Sequence, residues 1–189
     1  MDMGLNWGTN NRLLREELQR ITDSYINDRV GEQIEQVANL SLKYPHSISV
    51  VQKAIPDKQE TFRFNCYQHS FGLINVESVI RIMKDHGSVY PGREFVQFLI
   101  DTRLQEVSIE QAQDGDHVVY AAGSQIQHAG KVTEEAIESK WGLMHIWRHG
   151  VYEVPLRYGS TVRFFGHISQ DMAVQGFLDY ARKRGVITS

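Results

Sequence analysis

The chain holds one cysteine, Cys66, in the run Arg63-Phe64-Asn65-Cys66-Tyr67-Gln68-His69-Ser70-Phe71-Gly72-Leu73. A lone cysteine excludes an intrachain disulfide and any cluster of thiolate metal ligands. It leaves two roles, buried packing or nucleophilic chemistry. The run reads as an extended segment passing into a helix over 66–73, which places the sulfur at a helix start. The helix dipole there contributes about 0.3–1 kcal/mol, exceptionally about 2, and lowers a thiol pKa by about 0.2–1.5 units. From about 8.5 that is too little to make a thiolate dominant at neutral pH, so an imidazole partner is required.

The run Ile126-Gln127-His128-Ala129-Gly130-Lys131-Val132 supplies one, on a predicted strand. A sheet holds a base rigidly where it must meet a thiol. The following strand carries Ile137-Glu138-Ser139-Lys140-Trp141-Gly142. A polar side chain there can accept from the second ring nitrogen of His128 and fix its orientation. Strand alternation selects Ser139; Glu138 is the stronger electrostatic partner but points to the other face. Lys140 is a poor partner for an imidazolium, because like charges repel. Beside the expected Cys66, His128 and Ser139 triad, Arg63 and Asn65 are candidate oxyanion donors upstream of the cysteine. Lys140 and Trp141 are candidates for substrate support.

These motifs resemble the NlpC-type branch of papain-like cysteine peptidases. Asn65-Cys66 opening a helix is similar to the Asp-Cys start of that family. Asp114-Gly115-Asp116-His117-Val118-Val119-Tyr120 is similar to its Gly-Asp-Leu-Val strand, and His128-Ala129-Gly130 to its His-Val-Gly. The resemblance spans about 61–165. It departs at Tyr67-Gln68, where the family has Ser-Gly, and at the third catalytic position, where the family often has His. From 139 to 165 the chain also resembles an uncharacterised branch with a Ser-Lys-Trp-Gly motif, a Pro-x-x-Tyr-Gly and a Val-Arg-Phe-Phe strand. The resemblance implies a papain-like core with the nucleophile helix on an antiparallel sheet. It also implies hydrolysis of amide bonds or acyl transfer, with no cofactor.

The elements that must position these residues follow from periodicity. Leu14, Leu18, Ile21, Tyr25, Val30, Ile34 and Val37 recur at helical spacing, with Thr9, Asn10 or Asn11 as cap and Gly31 as a dividing point. Tyr44-Pro45 stops this segment. A helix through Val76, Val79, Ile80 and Met83 is expected to start on Asn75, and another to open at Pro91-Gly92. Strands are expected at 117–120, 126–132, 136–141, 150–154 and 161–168, then a last amphipathic helix carrying Met172, Val174, Phe177, Leu178 and Ala181. Helices first and strands second is the α+β class. The expected division is a helical extension over 1–60, a catalytic core over 61–168, and a C-terminal helix over 169–189.

A net charge of −3 provides no global field for nucleic acid or an anionic membrane. No run approaches the roughly 20 apolar residues that span a bilayer, and Met1 to Asn11 shows no secretory signal, so cytoplasmic synthesis is the expectation. His145 and His149 stand at four-residue spacing with no third ligand, so no metal site is expected. Two function classes remain. One is a cysteine hydrolase or acyltransferase acting on an amide or ester in a peptide or protein. The other is a non-catalytic protein-binding module on the same scaffold. A permuted acyltransferase reading of Asn65-Cys66 requires a base upstream of the cysteine, where only His46 stands, and is disfavoured.

Overall fold

The computed structural model describes residues 10–23, 30–54, 64–142 and 145–188. The first helix, α1 (Arg12–Asp23), starts on Asn11, whose side-chain oxygen accepts from the N–H groups of Leu13 and Leu14. Its stripe of Leu14, Leu18 and Ile21 is buried. A second helix, α2 (Val30–Leu40), has Gly31 in its first turn rather than between two helices. After Pro45 the chain forms a strand, β1 (Ser49–Gln52), inside the segment expected to be a helical extension.

Helix α3 (Cys66–Ser70) is shorter than the 66–73 expected. Gly72, at φ +66°, turns the chain left-handed, so that the Leu73 N–H closes on the Gln68 carbonyl at 2.8 Å. Helix α4 (Glu77–Asp85) is capped at Val76 and not at Asn75, which instead takes a positive φ of 60°. Helix α5 (Arg93–Thr102) opens at Pro91-Gly92 as the sequence predicts. A two-residue strand absent from the sequence reading, β2 (Glu106–Val107), follows.

The remaining strands are β3 (His117–Ala122), β4 (Gln125–Thr133), β5 (Ala136–Lys140), β6 (Ile146–His149) and β7 (Thr161–Phe165), before α6 (Gln170–Lys183). The strand expected at 150–154 is a correction. It forms four residues earlier as β6, because Glu153 folds the 150–154 stretch into a turn by accepting the Gly150 N–H at 3.0 Å. Strand β7 likewise stops at Phe165 and leaves a connection to the Ser169 cap of α6.

The seven strands form one antiparallel sheet in the order β1-β6-β5-β4-β3-β7-β2. Registers such as Val119↔Ala129 and Tyr120↔His128 assign each side chain to a face. On one face Val119, Ala129 and Phe165 pack with Tyr67, Phe71, Phe95, Leu99 and Phe177 of α3, α5 and α6. On the other, Val118, Tyr120, Val132, Ile137, Trp147 and Phe164 pack with Leu14, Leu18 and Val37 of α1 and α2. The segment read as an extension therefore adds an edge strand and covers the second face. Arg15, almost fully buried, fastens α1 by donating to the carbonyls of Val154 and Gly159.

Candidate active site

Asn65 holds the start of α3 in a capping box. Its side-chain oxygen accepts the Gln68 N–H at 2.8 Å, while the Gln68 side chain accepts the Asn65 N–H at 3.1 Å. Its amide nitrogen donates to the Pro91 carbonyl at 2.7 Å. Asn65 is thereby engaged in holding the helix start, with its oxygen, its backbone N–H and one side-chain N–H each partnered. Arg63 lies outside the described residues.

The cap places Cys66 against β4. Burial pushes its thiol up to about 11, although the backbone N–H groups of Ala129, Tyr67 and Cys66 itself, and the charge of Lys140, act in the opposite direction. The contribution of the Ala129 amide locates the sulfur. Strands β4 and β5 pair from Lys131↔Glu138 to Thr133↔Ala136, so the ladder between them has ended by residue 129. Beyond the end of that ladder the Ala129 amide serves the sulfur. Cys66 as a residue is only partly buried.

His128 precedes that amide. By register it shares a face with Tyr120, and its ring lies flat on Tyr158, with centroids 3.9 Å apart and planes 4° from parallel. Both ring nitrogens are buried without a hydrogen-bond partner. Burial drives its pKa well below the usual imidazole range, and the nearby His149 and His69 reinforce the effect. The ring is therefore neutral at pH 7. For Tyr158, burial, then the Cys66 sulfur, raise the hydroxyl to about 12. Tyr158 is thus the residue related to both: the His128 ring stacks on it and the Cys66 sulfur acts on its hydroxyl, while the register puts His128 on the face of Tyr120, covered by α1 and α2, opposite the face of Ala129 on which α3 packs.

Ser139 does not orient His128. Its hydroxyl lies 2.8 Å from Nε2 of His149 and accepts from the Trp141 indole N–H at 3.0 Å. The physical reason is lateral position: Ser139 sits opposite Trp147 of β6, where the outer neighbour His149 is within reach. Trp141 is fully buried and stacks on Trp147 at 5.2 Å, so it fills the core and lines no cleft.

Lys140 and Glu138 point to the face covered by α3. Lys140 is fully buried, its ammonium 4.4 Å from the centroid of the Phe64 ring. Burial lowers it to about 8, and the Cys66 sulfur raises it. One turn along α3, Nε2 of His69 meets Oε1 of Glu138 at 3.2 Å, and the hydrogen bond holds that carboxyl below its usual range. Sequence alternation assigned Glu138 to the face opposite Ser139 and thereby freed it from His128; its pairing with His69 had no local signal. Tyr158 was legible only as part of the Pro155-to-Gly159 motif.

His145 and His149 are not a ligand pair. His145 accepts the Ala54 N–H at 2.9 Å, and His149 is held between Ser139 and the Gly150 carbonyl. Among the described residues no group of three His, Cys, Asp or Glu is placed to hold a metal ion, and no helix is long and apolar enough to cross a membrane. Compared with known protein families, with curated proteins and with solved structures, the chain matches none.

Proposed function

We propose that the protein is a cysteine hydrolase or acyltransferase with a papain-like arrangement of its site, acting on an amide or ester of a peptide or protein. The observation that carries the reading is the setting of the cysteine at the end of the β4–β5 ladder. A thiol at a helix start abuts the amide of Ala129, and the adjacent residue is a buried, neutral histidine whose ring nitrogens are both unpartnered. A buried polar atom without a partner is costly and points to function.

The resting pair is thiol and imidazole, not thiolate and imidazolium, since burial raises one and lowers the other. Proton transfer therefore accompanies attack. As Sγ adds to the carbonyl carbon, the thiol proton passes to His128; because that ring stacks on Tyr158 on the sheet face opposite α3, the step requires the ring to leave the stack and reach the sulfur at the end of the β4–β5 ladder. The oxyanion takes the Cys66 backbone N–H. Collapse expels the amine or alcohol with the proton from His128 and leaves a thioester on Cys66. His128 then deprotonates water, or another nucleophile, which releases the acyl group.

The test is the acyl-enzyme. With p-nitrophenyl acetate, a stoichiometric burst of nitrophenol should appear in the wild type, vanish in Cys66→Ser, and slow at least tenfold in His128→Ala. Equal release by all three proteins eliminates the catalytic reading. It leaves the binding module, which the high thiol pKa favours.

A further inference from the structure

Tyr158 carries the His128 ring, and elements distant in sequence fix where Tyr158 sits. It ends a single turn of 3-10 helix, Leu156–Tyr158, in the connection from β6 to β7. Arg15 of α1 spans that turn: its Nε donates to the Val154 carbonyl at 3.2 Å and its Nη2 to the Gly159 carbonyl. Gly159 is pressed against β3, where an added Cβ would collide with the Ala121 carbonyl. Asp23, the last residue of α1, pairs with Arg157, whose guanidinium lies 5.4 Å from the centroid of the Tyr158 ring. Tyr120 flanks the imidazole at 5.6 Å between centroids, and its hydroxyl donates to the Val151 carbonyl at 2.9 Å.

Arg15 is almost fully buried, and both bonds that offset the cost of burying its guanidinium go to the backbone of this one turn. Packing of α1 on the sheet asks only for apolar residues such as Leu14 and Leu18. A planar fork with donors at fixed angles does something more: it holds two carbonyls in one relative position.

Resting on the reading of His128 as the proton acceptor, we propose that Arg15 is a positioning residue for that histidine, acting through the 154–159 turn and the Tyr158 ring. No bond forms or breaks at Arg15. The first helix thereby sets the plane and the starting point of the ring that must travel to the sulfur. The contacts are continuous: Arg15 to the carbonyls of Val154 and Gly159, the turn between them to Tyr158, and Tyr158 to His128 at 3.9 Å with planes 4° from parallel. The half-exposed pair of Asp23 and Arg157 holds the same turn a second time.

The experiment reads the ring and the reaction separately. The Cε1–H and Cδ2–H signals of His128, shifted upfield by the Tyr158 ring against which they lie, are recorded by NMR in wild type, Arg15→Met, Arg15→Lys and Asp23→Asn. The nitrophenol burst is timed in the same proteins. In Arg15→Met the signals should move downfield and the burst should slow by about tenfold or more, since a displacement of about 1 Å caused far from the chemistry suffices for that. Arg15→Lys keeps a charge and one donor and should recover part of both. Asp23→Asn breaks only the outer pair and should move both readouts the same way by less. A loss of stability with the His128 signals and the burst rate unchanged makes Arg15 purely structural and overturns the proposal. So does a slowed burst with unmoved signals, or moved signals with an unchanged burst. If neither Arg15 variant folds, Asp23→Asn decides, and no change in either readout overturns the proposal. Signals that move in the variants of a protein whose wild type shows no burst sink the catalytic reading and keep the coupling of Arg15 to the ring.

Discussion

Lys140→Met should stabilise the protein, and by an amount that depends on pH. Burial lowers the Lys140 ammonium from an ordinary 10.5 to about 8 in the folded chain. The folded value lies below the unfolded one, so between pH 8 and 10.5 the unfolded chain binds more protons and stability rises with pH. Below that window the whole penalty is present. The shift corresponds to about 3 kcal/mol at pH 7 and about 1 kcal/mol at pH 9.5. Cys66 has the opposite sign: its thiol is raised from 9.0 to about 11, so its contribution falls away as pH climbs through that range. The two groups mask each other in the wild type above pH 9. The comparison therefore belongs in a Cys66→Ala background, by urea unfolding at both pH values. Methionine fills much the same volume without a charge. The expected gain is about 3 kcal/mol at pH 7, shrinking by about 2 kcal/mol at pH 9.5. A loss of stability at both pH values, or a gain with no pH dependence, refutes the assignment of Lys140 as a costly buried cation.

Acid should destabilise the fold through buried imidazoles. Burial lowers His149 to about 4 and His117 to about 3, so the stability they confer is full above pH 6.5 and is lost as pH falls through those values. Replacing His149 with Asn should remove about one proton from the uptake on unfolding near pH 5, measured from urea midpoints across pH 4–7; an unchanged slope contradicts this. Gly159→Ala should cost at least about 3 kcal/mol, because φ is +91° and a new Cβ would sit inside the Ala121 carbonyl. The same change should slow acylation of Cys66 by displacing Tyr158; a thermal melt within a degree or two of wild type would be inconsistent with it. Asn65→Ala should cost about 1 kcal/mol through the lost cap, read by urea unfolding. Glu153→Ala should cost about 3 kcal/mol, since this buried carboxylate accepts from the N–H and hydroxyl of Ser47 and the N–H of Gly150; an effect under about 1 kcal/mol argues against it.

Much of the scaffold was legible because its signals are local. Alternation gave β3, β4 and β5 nearly to the residue, and helical spacing gave α1 and α6. The misplaced β6 shows where local signals stop. Gly150 to Val154 has strand composition, but Glu153 accepts hydrogen bonds from the N–H of Gly150 and from Ser47, the latter more than a hundred positions away. The N-terminal segment joined the sheet for the same kind of reason: β1 pairs with β6, nearly a hundred residues later. In the site, the position of Cys66 at a helix start was readable, as was the face of Glu138. The partner of Ser139 was not. Alternation fixes a face but does not say which neighbouring strand a hydroxyl will serve, and His149 on β6 claimed it. The charge states were equally hidden, because they depend on burial that only tertiary packing creates.

Whether Cys66 and His128 come together, as the proposed catalysis requires, can be tested by chemistry. The native protein is treated with 1,3-dibromoacetone, which alkylates a thiol and then any nucleophile a few ångströms away, and the bridge is mapped by peptide mass spectrometry. The expected product is a Cys66–His128 crosslink, absent in His128→Ala. A crosslink to Lys140 or His69 in its place, or single alkylation of Cys66 with no bridge, would contradict the pairing on which the proposed catalysis rests.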